Sequence, residues 1–293
     1  MRLNALKILK SNRLLAPSSL RKFSFLVLVV CTTYGAFAFS SYRLIDAGKQ
    51  HITAKHVDIL IAKALKYLPF SFAIVDRTEL DLILAYHILH QKENEYVAMM
   101  SNGGVALKMF QDVEEKNHNS FPKYSSISQL QLLNLLVRMP WNENLRRLSD
   151  IYSKKVRDNL NARLYDSDDE STAHENLAIY FARINSRKDI DDHAALADSI
   201  DLQQFEPTIA EALMFIRYQR IAMGACIFGA GNDVSWSLKI NPREAKAVRQ
   251  HFLRDQYYQA WDMALVKTVI LGSKEESCKN LAIRHQSLAG AVN

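Results

Sequence analysis

Glycine and proline are scarce, at nine and six among 293 residues. A β-sandwich or barrel needs a turn signal about every 8–12 residues, so the shortage counts against both. Cysteine is limited to Cys31, Cys226 and Cys278, with no CxxC pair and no metal-type spacing. Acidic residues are missing from the first 42 positions. A second long uncharged run is missing too. Ala264–Leu271 is interrupted by Lys267, and Ile221–Gly231 is only eleven residues long, so a polytopic membrane protein is excluded. At 48% apolar and 23% charged, the chain is neither collagen-like nor a disordered tail.

The formal charge of +6 sits in one place. Arg2, Lys7, Lys10, Arg13, Arg21 and Lys22 precede the first acidic residue, leaving 31 Lys and Arg against 31 Asp and Glu in residues 43–293. The body is neutral overall, and the basic balance argues for no nucleic-acid partner. Residues 1–22 read as a basic leader.

Phe23 to Phe39 is uncharged over 17 residues, and extension to Tyr42 gives 20. That is enough for one helical crossing of a hydrocarbon layer about 30 Å thick. The positive-inside rule puts the leader in the cytoplasm and residues 43–293 on the far side. The leading reading is a signal anchor over 23–42 in a bacterial inner membrane, with a periplasmic domain. Ala36-Phe37-Ala38 supports the alternative of a cleaved signal peptide. The acid-free basic start supports a mitochondrial inner-membrane protein. Leu28-Val29-Val30-Cys31 is a poorer lipoprotein signal, because Val30 replaces a small residue. Cys226 and Cys278, 52 positions apart, can pair in an oxidising compartment or remain buried thiols.

The body repeats apolar residues with helical period, which predicts an all-α fold: an irregular multi-helix bundle or array with little or no β-structure. Helices are expected over His51–Leu68, a segment after Asp76, Glu93–Glu115, Gln129–Met139, Trp141–Tyr165, Thr172–Ser186, Asp191–Ile200, Pro207–Phe228, Pro242–Leu271 and, last, Glu275–Leu288. Phe70–Val75 could be a short strand and 229–240 a short hairpin. Asp166–Ser171 reads as an acidic loop. The polar stretch 117–126 marks a possible sub-boundary within 43–293.

Several catalytic and binding signatures are incomplete. His174-Glu175-Asn176-Leu177-Ala178 lacks the second histidine of a zinc-protease helix, so an exposed polar pair is expected there. The stretch from Asp166 lacks the glycine and final carboxylate of a calcium loop. Gly224 to Gly229 has P-loop glycine spacing, but Ala230 and Gly231 stand where Lys and Ser or Thr are needed. Close helix approach explains those small residues. There is no GxSxG elbow. No cofactor is called for.

His87 and His90, three apart, are weak candidate metal ligands, although His87 lies on an apolar stripe with Leu80, Ile83 and Leu84. Tyr257 and Tyr258, beside Phe252 and Trp261, cannot share one helix face, so one of them is a candidate partner contact. Arg146, Arg147, Lys154, Lys155, Arg157 and Arg163 give their helix a basic outer face, interrupted by Asp150 and Asp158, that could meet an acidic partner or lipid headgroups. These features predict a membrane-anchored accessory or scaffold subunit of a secretion, conjugation or envelope-assembly complex, working through protein partners. A helical cell-wall hydrolase is the alternative, with Glu79 or Glu211 as its acid.

Overall fold

In the computed structural model, the described residues are 17–49, 54–78, 80–81, 83–84, 96–117, 122–227, 234–238 and 256–290. They form an all-α fold with no strand among them. The helices are α1 (Pro17–Lys49), α2 (His56–Leu65), α3 (Tyr96–Asn117), α4 (Pro122–Leu136) and α5 (Glu143–Asn161). They continue as α6 (Ser167–Arg183), α7 (Arg187–Gln204), α8 (Pro207–Ile227), α9 (Gln256–Gly272) and α10 (Glu276–Gly290). Proline opens α8, where its missing N–H and fixed φ carry no penalty.

Helix α1 contains a stretch, Lys22–Ala47, long and apolar enough to cross a membrane. Phe23, Phe25, Leu26, Leu28 and their neighbours to Val30 are exposed. The second half of α1 is built into the protein. Phe37 and Leu44 pack with Ile59 and Ala62 of α2 and with Leu80 and Leu84, forming a small core. Beside it, Arg43 pairs with Asp58 at 3.3 Å.

The larger core fills the space between α3 and α10. Leu130, Leu133 and Leu136 of α4 meet Leu177 and Ile179 of α6, Ile221 and Met223 of α8, Leu265 and Val269 of α9, and Leu281 of α10. Met109 of α3 touches both cores. Helices α6 and α8 are central, each buried over ten consecutive positions or more. They approach closely at Gly224, where an added Cβ would lie 3.1 Å from the Ile179 side chain and 3.2 Å from its carbonyl oxygen.

Three expectations are corrected. The 70–75 segment is not a strand. Ser71–Ala73 is a 3₁₀ turn following Phe70 at φ 61°, which takes the chain out of the extended region. Nor is the acidic stretch 166–171 a loop. Asp166 accepts from the Asp169 N–H at 3.1 Å, and the carboxylates that follow lie on the first turn of α6, where the helix dipole favours them. In the 229–240 region, the described Val234–Leu238 is a 3₁₀ turn rather than a hairpin strand. Glycines 103 and 104 do not interrupt α3. Residues 242–255 of the expected long helix lie outside the described residues.

Cys226 of α8 and Cys278 of α10 form a disulfide with Cα atoms 5.7 Å apart. Closing a loop of this size restricts the unfolded chain. Replacing both with serine should lower unfolding free energy by about 2–4 kcal/mol. Denaturant titration of the detergent-solubilised full chain, with and without reductant, checks this: the reductant should shift the native chain and leave the double variant unchanged.

Candidate functional site

Two polar assemblies and one exposed face are the places where this fold concentrates chemistry. The deepest assembly centres on Glu175 of α6. Its carboxylate accepts from Arg220 at 2.8 Å and Arg138 at 3.3 Å, and lies 3.7 Å from Arg217. Arg220 also grips Asp262 of α9 through two bonds of 2.6 and 3.0 Å, and His285 of α10 lies 3.2 Å from the same carboxylate. Arg217 pairs with Asp198 and Asp201 of α7. Ser171 donates to Asp201 at 2.7 Å and Tyr218 to Asp198 at 2.9 Å.

Burial opposes ionisation of Glu175, but Arg220, Arg217 and Arg138 together hold its carboxyl below the ordinary range. Burial likewise opposes Asp262, and Arg220 and His285 overcome it, holding Asp262 well below the usual carboxylate value. Asp198 moves the other way, raised by burial against the pull of Arg217. An Asp–His pair can orient a catalytic group. Here both Asp262 and His285 are fully enclosed, so no substrate reaches them in this conformation. The assembly fastens α6, α7, α8, α9 and α10 to one another and to Arg138, just beyond α4.

A neighbouring buried cation, Arg183, ends α6. Its guanidinium donates to the carbonyls of Leu136, Val137 and Met139 at 2.8–3.1 Å and lies 3.7 Å over the Trp141 ring. It thereby satisfies carbonyls that α4 leaves without helical partners.

The second assembly joins α6 to α7. His174 and His193 approach Nδ1 to Nδ1 at 2.8 Å, and the Phe181 ring stacks on His193. One ring must donate and the other accept, so the contact needs at least one neutral ring. Burial first, then His193 and Arg217, push His174 down to about 4. Burial also lowers His193, opposed by Asp189 and Asp192 and aided by Arg157. The expectation that His174 and Glu175 are an exposed pair is therefore wrong: both are buried, because α7 and α8 cover this side of α6.

Arg146, Arg147 and Lys154 are exposed on α5, whereas Lys155 turns inward to Glu114 of α3. Glu114 also accepts from Tyr152 at 2.9 Å and Gln129 at 3.1 Å, so it ties α3, α4 and α5 together. A cleft of about 440 Å³, lined by Leu160, Arg163, Tyr165 and Glu170, opens where α5 turns into α6. His87, His90 and Glu79 lie outside the described residues. Tyr257 and Tyr258 are in α9, but their side chains lie outside the described set. Glu211 is half-buried on α8. Among the described residues, no three His, Cys, Asp or Glu side chains gather as metal ligands would.

The ionic assembly was not anticipated. Its signal was present: Arg217 and Arg220, three apart, fall in a mostly apolar α8, and Asp262 falls in a mostly apolar α9. Compared with known proteins, the chain matches no family model, no curated protein and no solved structure. Geometry is therefore what its function is argued from.

Glu175→Ala leaves three buried guanidinium groups short of a partner and should cost about 3–5 kcal/mol, read by denaturant titration. An effect under about 1 kcal/mol, the value of an exposed pair, would contradict the assigned burial. For His174, the unfolded chain binds a proton near pH 6.5 and the folded protein only near pH 4. Its contribution is complete above pH 6.5 and is lost as pH falls toward 4, by at most about 1.4 kcal/mol per pH unit. His174→Gln should flatten the pH dependence of the denaturation midpoint in that window.

Proposed function

We propose that this protein is a single-pass, membrane-anchored accessory or scaffold subunit of an envelope complex, with its helical domain outside the cytoplasm. The observation that carries the reading is the division of labour within α1. Its first part offers apolar side chains outward, while Phe37, Arg43 and Leu44 are packed or paired inside the domain. An anchor continuous with the fold holds the domain at the membrane surface in a fixed orientation. Such confinement raises the effective concentration of weak contacts.

The distribution of positive charge favours a cytoplasmic leader and a domain across a bacterial inner membrane, in the periplasm. The Cys226–Cys278 bond fits an oxidising compartment. The basic face of α5, with Arg146, Arg147 and Lys154, is the candidate partner surface, and an acidic protein face is its natural complement.

The mature N-terminus tests the anchor. Protein from its native membrane fraction should retain residues 1–42 by intact mass and resist alkaline extraction. A soluble chain starting near Phe39 would overturn the reading. Reversing charge at Arg146, Arg147 and Lys154 together should abolish site-specific cross-links from α5 to a partner while leaving the melting temperature unchanged. Persistence of those cross-links would remove this face from the proposal.

A further inference from the structure

A second part of the chain lies at the depth of the membrane helix. The Tyr34 hydroxyl donates to the carbonyl of Pro69, pinning the turn after α2 against the middle of α1. At 1.5 Å per residue, Tyr34 lies about 18 Å along α1 from Lys22. A hydrocarbon layer about 30 Å thick that begins at Lys22 extends about 12 Å past Tyr34. The turn is therefore level with the leaflet nearer the domain.

Its surface is unlike that of a water-facing loop. Tyr67, Phe70 and Phe72 are 75, 69 and 62% exposed, and Ile74 of the same turn and Val57 and Leu60 of α2 are also exposed. Phe70 adopts φ 61°, a conformation uncommon for a bulky residue, with its ring directed outward. Large apolar side chains gathered this densely mark a contact surface.

Many of the turn's polar groups are paired within the protein, which lowers the cost of placing it in a bilayer. Leu68 N–H donates to Leu65 at 3.0 Å, Ser71 to Leu68 at 3.2 Å, Ala73 to Phe70 at 2.9 Å and Ile74 to Ser71 at 3.1 Å. Pro69 has no N–H to satisfy, and its carbonyl takes the Tyr34 proton. The Ser71 hydroxyl donates to the Lys66 carbonyl at 2.8 Å. The charges are occupied too. Lys66 pairs with Asp81 at 2.9 Å, and Arg77 donates to Ser71 Oγ at 3.0 Å and to the Leu68 carbonyl at 3.5 Å.

We propose that residues 66–75 form a re-entrant membrane contact beside α1, with Tyr67, Phe70, Phe72 and Ile74 against acyl chains of the domain-side leaflet. Lys63, exposed one turn before Lys66, stands where a long cationic side chain can reach the lipid phosphates. The occupant is lipid, because the patch is continuous with the apolar face of α1 and shares its depth. The contact gives the domain two points of attachment and so fixes its rotation about α1. It rests on α1 being the anchor.

The test uses the full chain in vesicles of phosphatidylethanolamine and phosphatidylglycerol, with Cys31→Ser and the disulfide intact. Single cysteines replace Phe70, Phe72, Leu28 or Ile283, and each carries an environment-sensitive fluorophore. Circular dichroism confirms that each variant keeps its helicity. With spin-labelled acyl chains present, emission from positions 70 and 72 should be lost to the same extent as from 28, and emission from 283 retained. Quenching at 28 but not at 70 or 72 would overturn the re-entrant contact and leave the anchor standing, as when a partner protein normally covers the patch. No quenching at 28 would overturn both.

Discussion

The carboxylate of Glu175 is the point on which the large core depends. A carboxylate this deep is tolerated only because Arg138, Arg217 and Arg220 converge on it, and each of those cations is in turn held by a second group. Arg220 passes the constraint to Asp262 and thus to α9 and His285 of α10, and Arg217 passes it to α7. Apolar packing in this region could tolerate several helix registers with similar buried area. A bidentate guanidinium–carboxylate contact cannot, since a shift of one residue would leave charges unpaired in a dry interior. The ionic assembly selects one arrangement among those the hydrophobic pattern allows, and the Cys226–Cys278 bond then links α8 to α10 on the same side of the core.

Fold class was legible because the helical period is carried by many residues at once. The start of α8 was legible because Pro207 gives one strong reason for it, whereas the cap of α5, Asn142 accepting from the Leu145 N–H at 2.9 Å, lies inside the expected Trp141–Tyr165 helix. The misreadings share a cause. Phe70–Val75 is apolar enough for a strand, but its shape is dictated by Pro69, the positive φ of Phe70 and the Tyr34 contact, which is 35 residues away. His174 and Glu175 looked exposed because they follow an acidic helix start, yet their burial is decided by α7 and α8, which lie later in the chain. Charge marks the surface when its partners are water. It marks the core when the partners are other charges, and those partners are distant in sequence: Glu175 meets Arg220 across 45 positions.

Of the candidate partner surface, its exposure was legible. The basic residues along α5 indicated an outward face, and Arg146, Arg147 and Lys154 are exposed on it. The same pattern did not separate Lys155 from its neighbours, although Lys155 turns to Glu114. That distinction depends on α3 lying alongside, which no local period encodes.

The contact through Glu114 joins the two halves of the protein. Met109, on the same helix, packs against the small core that holds the far half of α1. Glu114 lies little more than one turn further along α3 and fastens Lys155 and Tyr152 of α5 and Gln129 of α4. Burial opposes its charge, yet Lys155, Tyr152 and Gln129 hold the Glu114 carboxyl below its ordinary value, so it stays ionised and acts as an anion at this junction. A continuous path of packed and paired side chains therefore runs from α1 through α2 and α3 to the helix that carries the basic face. Rotation of that face relative to α1 would require breaking either the apolar contact at Met109 or the charged contact at Glu114. The direction in which the protein presents its basic surface is thus set by the same contacts that attach it to α1.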